Sequence, residues 1–172
     1  ILQKLIELVE TSDPAMICSI LLMDKDGQHL RHAAAPSLPD FYNQAIDGLK
    51  IGEGVGCCGT AMARGERVIV EDITTHPYWV PLLDLAVRAN LRSCWSQPVL
   101  NHAGEVLGSF AVYHHTVSTP NDEEIALVVD CAQLAALAIE HERTGEELRI
   151  AGTAFELQEG LMITDTNWVI LR

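Results

Sequence analysis

Four glycines crowd the segment Gly52-Glu53-Gly54-Val55-Gly56-Cys57-Cys58-Gly59-Thr60-Ala61. Glycine lacks a Cβ, so such a segment adopts backbone conformations closed to other residues and lets another chain segment or a ligand come close. Gly59-Thr60-Ala61-Met62-Ala63-Arg64 then reads as the start of a helix whose free amides face the loop. Further along, Leu91-Arg92-Ser93-Cys94-Trp95-Ser96-Gln97-Pro98-Val99 reads as a buried strand. Loop, helix start and strand together supply two walls of one small-molecule pocket. Alternation puts Cys94 and Ser96 on one face and Ser93, Trp95 and Gln97 on the other. The sequence leaves open which set faces the pocket.

The chain has 172 residues, with 24 acidic against 11 basic side chains and a net charge of −13. This is room for one ordinary domain and an appendage. No basic cluster interrupts the acidic balance, so phosphate-driven nucleic-acid binding is disfavoured. No apolar run reaches the ~20 residues that cross a bilayer, because the stretch 125–139 is broken by Asp130 and Gln133. Five cysteines are an odd number without zinc-ligand spacing, which points to reduced thiols in a cytoplasmic protein and to no metal site. The chain opens inside an amphipathic pattern without a charged-then-apolar leader, as a piece of a longer protein would.

Periodicity supplies the remaining elements. Leu2, Leu5, Ile6 and Val9 predict a helix ending near the Thr11-Ser12-Asp13-Pro14 stop signal. A strand over 15–23, the turn Asp24-Lys25-Asp26-Gly27 and a strand over 28–35 form a hairpin. A short helix over 40–47 precedes the glycine-rich loop. After it come a short strand at Val68-Ile69-Val70, a capped loop at Thr74-Thr75-His76-Pro77 and a helix within 80–90. Strands over 93–100 and 106–114 flank the turn Asn101-His102-Ala103-Gly104-Glu105 and belong at the centre of the sheet. Pro120-Asn121-Asp122-Glu123-Glu124 is a cap with an acidic first turn, opening a long helix to about 148. A short helix, a glycine break and two strands, at 160–165 and 168–171, are expected beyond it.

In order and spacing, the Asp26-Gly27 hairpin, the glycine-rich segment, the Gly65-Glu66-Arg67-Val68 turn, the Arg92 to Val99 strand, the Gly104 to Ala111 hairpin and the final helix resemble a GAF domain. This is a ligand-binding and dimerising sensor module of bacterial signalling proteins. The tail from Phe155 to Leu171 resembles the opening of a PAS domain. The resemblance implies an α/β (α+β) fold: a central antiparallel sheet of five or six strands, terminal helices packed on one face and a ligand pocket on the other. It divides the chain into a GAF sensor domain, 1–149, and a linker with an incomplete PAS start, 150–172. It further implies a homodimer through the terminal helices and an unidentified small-molecule ligand. The full protein would then be a histidine kinase or an enzyme of cyclic-di-GMP turnover.

Some GAF proteins reduce free methionine sulfoxide with a thiol in the loop before the central strand. Here that loop, 76–83, has no cysteine, and a thiolate nucleophile needs a lowered pKa and a resolving partner. A thiol-dependent reductase is therefore the alternative reading, beside a ligand-free dimerising spacer. Cys18 and Cys131 read as small buried hydrophobes. Haem would need a histidine aimed into the pocket, from His76, His114 or His115. Cyclic nucleotides would use the loop and helix amides, but of the family's nucleotide signature only the acidic end near Asp122-Glu123 is kept. Bilin attachment lacks its Cys-His dipeptide. The candidate ligand-binding set is Cys18, Gly56, Cys57, Cys58, Thr60, Asp72, Trp79, Ser93, Cys94, Trp95, Ser96 and Tyr113, with no catalytic residue. Of these, Trp79, Trp95 and Tyr113 also suit plain packing or an apolar ligand.

Overall fold

A computed structural model describes residues 1–146 and 149 in full and the backbone of residues 147–148 and 150–170. It falls into two compact units, 1–138 and 139–172. The first holds a five-stranded sheet, β1 Ile17–Met23, β2 Leu30–Ala34, β3 Val68–Val70, β4 Ser93–Leu100 and β5 Val106–His114, in the order β2-β1-β5-β4-β3. Every pairing is antiparallel. β5 is the central strand, as its nearly unbroken burial requires. Backbone bonds tie Leu30 and Gln28 to the segment 48–51 running alongside β2, and His32 N–H donates to an Asp47 carboxylate oxygen at 2.9 Å.

The helices are α1 Leu2–Ser12, α2 Asp40–Ile46, α3 Gly56–Arg64, α4 Leu83–Arg88 and α5 Asp122–Ile170, with a 3-10 helix at Pro77–Leu82 before α4. Pairing places Ser19, Ala111 and Ser96 in line across the sheet, with Ile17, Tyr113 and Cys94 in the next row. This face packs against α3, and with α2 and the 3-10 helix it encloses the main core. The opposite face carries Cys18, whose amide donates to Glu10 of α1 at 2.8 Å and whose thiol lies beside Cys131 of α5. The terminal helices therefore cover one face of the sheet, as the family resemblance implies. Asn121 and Glu124 cap α5 reciprocally, each side chain accepting from the other's amide, at 2.9 and 2.7 Å.

Two expectations are corrected. α3 starts at Gly56 rather than Gly59, so Cys57 and Cys58 belong to its first turn. The strands expected at 160–165 and 168–171 are not present: α5 continues as helix to Ile170. Two strands without a sheet leave backbone groups unpaired, whereas a helix satisfies them within the segment, and the Ala, Glu, Leu, Gln and Met of residues 154–162 are strong helix formers. Residue 171, at the end of the second expected strand, lies outside the described residues, as does residue 172. Among the described residues no helix is long and apolar enough to cross a membrane.

Candidate functional site

The glycine-rich segment folds so that α3 presents its first turn to the sheet. Thr60 Oγ1 accepts from Gly54 N–H at 3.0 Å and donates to the Gly56 carbonyl at 2.7 Å. Gly56 holds a φ of +57°, and a Cβ there would press within 3.3 Å of Leu82 and 3.8 Å of the Trp79 ring. Only glycine combines that conformation with that approach. Thr60 is thus committed to the loop, and Gly56 forms part of a cavity wall.

The cavity lies between α3, α2, the 3-10 helix and the sheet. Its walls include Leu21, Tyr42, Cys57, Cys58, Trp79 and Tyr113, and the open space is about 10 Å³. That is room for roughly one water, far below the ~300 Å³ at which pockets for drug-sized ligands begin. The space is filled by the protein's own aromatic rings: Trp79 and Tyr42 are each 2% exposed, and Tyr42 meets Tyr113 edge-on with centroids 6.0 Å apart.

Three thiols converge beside it. Trp79 Nε1–H donates to Cys57 Sγ at 3.4 Å, and the Cys57 thiol donates to the Cys94 carbonyl at 3.2 Å. Cys58 Sγ sits 3.6 Å from Tyr113 Oη, to which Ser19 donates at 3.4 Å. The Cys94 thiol beside Cys58 pulls the Cys58 pKa down to about 6 against the opposing effect of burial, and the hydroxyls of Ser109, Tyr113 and Ser96 add to the lowering. Burial drives Cys94 well up, and its thiol neighbours Cys57 and Cys58 add to that; burial likewise raises Tyr113 and Tyr42. Ser96 and Ser109 are fully buried, and neither Oγ has a hydrogen-bond partner at normal geometry.

The question of strand face is thereby answered: Cys94 and Ser96 look toward α3, with Gly56, Cys57, Cys58, Thr60, Trp79 and Tyr113. Cys18, Ser93 and Trp95 are on the helix-covered face, away from the cavity. There Trp95 Nε1–H donates to the Ser118 carbonyl at 3.4 Å and its ring meets His114 at 4.6 Å. Asp72 lies beyond the end of β3, where it accepts from the Thr74 amide and hydroxyl at 2.9 and 2.6 Å and pairs with Arg92 at 3.5 Å. Those Thr74 bonds, then Arg92, hold its carboxyl below the usual range. None of the three candidate histidines lines the cavity. His76 Nδ1 accepts from the Tyr78 amide at 3.3 Å, and His115 Nδ1 lies 2.7 Å from the Asn90 carbonyl.

Tyr42, Leu82, Ser19 and Ser109 complete the site without having been expected there. Counting back by two from Tyr113 reaches Ser109, a signal present in the sequence. Tyr42 and Leu82 arrive from separate helices and carry no local signal.

Comparison with known proteins gives a consistent result. A family model described as GAF domain matches residues 1–140. The chain is similar to the methyl sulfide methyltransferase-associated sensor of Methanosarcina acetivorans, 33% identical over 155 residues, which is 90% of this chain and 16% of that protein's length. The GAF domain of a phosphoenolpyruvate-protein phosphotransferase from Coxiella burnetii superposes with a TM-score of 0.70 at 22% identity, covering 85% of this chain and 84% of that one. The free methionine-R-sulfoxide reductase of Neisseria meningitidis superposes with a TM-score of 0.65 at 20% identity, covering 84% and 78%.

Proposed function

The chain belongs to the GAF domain family, and from that premise we propose that it is the regulatory sensing and dimerising module of a multidomain signalling protein. The observation that carries this reading is the match to a named sensor over 90% of this chain but only 16% of that protein's length, the relation of one module to a larger assembly. In this reading the cavity beside α3 is the sensing end, and α5 carries its state to a following module, which the PAS-like residues 155–171 begin.

The dimer forms through the terminal helices. Leu8 of α1 and Leu127, Leu134 and Leu137 of α5 are exposed, and positions 127, 134 and 137 keep near-heptad spacing, the pattern by which a second copy is recognised. The reading is non-catalytic: a reductase that follows the family's loop-thiol pattern needs a cysteine within 76–83, where there is none.

Leu82→Ala enlarges the cavity without touching α5. Hydrogen–deuterium exchange should then rise several-fold at amides 122–138, because the sheet links cavity and helix. Exchange that rises only around 77–88 and leaves α5 unaltered would overturn the sensing reading in favour of a dimerising spacer.

A further inference from the structure

The two ends of the segment between β3 and β4 meet, because Ile73 N–H donates to the Arg92 carbonyl at 2.8 Å. Between them the backbone bonds close on the segment itself: Trp79 to His76, Ala89 to Leu85, Asn90 to Val87 and Leu91 to Ala86. Among the described residues no backbone hydrogen bond joins 76–91 to the sheet or to an element outside the segment. Side chains hold it down instead. Trp79 is 2% exposed and donates from its indole to Cys57 Sγ at 3.4 Å, and Leu82 borders Gly56 beside it. Two contacts between arginine and an aromatic ring fasten the margins. The Arg64 guanidinium of α3 lies 5.4 Å from the centroid of the Tyr78 ring and also pairs with Glu53 of the glycine-rich loop, while the His76 ring meets Tyr78 edge-on at 4.6 Å. At the other end Arg88 of α4 lies 4.6 Å over the Phe41 ring of α2. The outer side is open to water, with Val80 72% and Val87 56% exposed.

We infer that residues 76–90 are a lid over the cavity beside α3, latched by Arg64 on Tyr78 and by Arg88 on Phe41, and that the lid lifts as one unit. With the lid down the open space is about 10 Å³, room for roughly one water. Lifting withdraws Trp79 and Leu82 from the walls and uncovers Cys57 in the first turn of α3. The ends of the segment stay tied to each other and its internal bonds travel with it, so the motion breaks no strand pairing and orphans no backbone group. What opposes it is the burial of Trp79, which makes the open state a minor one. Each latch weights the balance further toward closure, by a factor of about two to five for a guanidinium on a ring at the water boundary. Access to the cavity is a separate matter from signalling through α5, and the lid stands or falls without it.

The exposure of Cys57 supplies the readout. The intact, reduced chain is pulsed with N-ethylmaleimide at urea concentrations below the unfolding transition, and alkylation at each cysteine is followed by peptide mass spectrometry. Cys57 should react several-fold faster than Cys94, which is 0% exposed on β4 and is released only when the whole domain unfolds. The Cys57 rate should stay nearly flat in urea, as an opening that exposes little surface requires, whereas the Cys94 rate should climb steeply. Tyr78→Leu and Arg88→Met should each raise the flat Cys57 rate about two- to fivefold. Together they should multiply, because the two contacts lie at opposite ends of the lid. Tyr78→Phe keeps the ring face and should react at the wild-type rate. A Cys57 rate equal to that of Cys94 and equally steep in urea would overturn the proposal, since only global unfolding would then reach the cavity. So would a flat Cys57 rate that neither Tyr78→Leu nor Arg88→Met alters, or a Tyr78→Phe variant that matches Tyr78→Leu.

Discussion

His114 shows how a single side chain on the helix-covered face sets a pH limit on this fold. It is 6% exposed, its Nδ1 has no partner, and it packs on Trp95. Burial lowers its pKa and His115 adds slightly, while Glu124 and Asp13 oppose. Below the ordinary histidine value of 6.5 the unfolded chain takes up a proton that the folded chain resists, so stability falls as pH drops through that value. Urea unfolding at pH 7 and pH 5.5 should show a drop in midpoint for the wild type and a smaller one for His114→Leu. The interval lies above the range in which Asp24, Asp26 and Asp72, all held low, take up protons. Equal drops in both proteins would show that the histidine is not the cause.

At the scale of elements, the sheet depends on one close approach. Gly108 sits in β5 opposite Leu22 and Val99, where a Cβ would lie 2.2 Å from the Leu21 carbonyl oxygen. Gly108→Ala must push the central strands apart and should cost about 3 kcal/mol, a fall in Tm of roughly 6 to 12 °C for a chain of this size, measurable by calorimetry. Such elements were legible to different degrees. The β4–β5 hairpin was read to the residue, because alternation and the Asn101 to Glu105 turn agree. The start of α3 was not: three residues that look like loop are drawn into helix by the Thr60 bonds and the packing of Gly56 on Trp79. The candidate site was legible in the same limited sense. Alternation separated Cys94 and Ser96 from Ser93 and Trp95, but only strand pairing shows which set meets α3. Cys18 was chosen where its neighbour Ser19 is the inward residue, a one-position error that reverses the face.

For the whole molecule, the proposed dimer rests on apolar side chains the fold leaves outside. Leu134 and Leu137 are 54% and 64% exposed. Burying a leucine is worth about 1.5 kcal/mol or more, so Leu134→Glu with Leu137→Glu should weaken self-association by roughly a hundredfold or more. Sedimentation equilibrium should find the wild type dimeric and the double variant monomeric with unchanged circular dichroism. A wild-type chain that is monomeric at high concentration would remove the dimer from the proposed function. The two margins of the sheet limit the alternatives. On one side the segment 48–51 and the Asp47 carboxylate occupy backbone groups of β2 and its approach. On the other, β3 is three residues long and the Ser118 amide binds the Glu71 carbonyl just past its end. Strand-to-strand addition between molecules, the usual route from an open sheet to aggregates, finds little unclaimed backbone at either margin. A domain built this way can be held at high concentration without its sheet becoming a template for fibres.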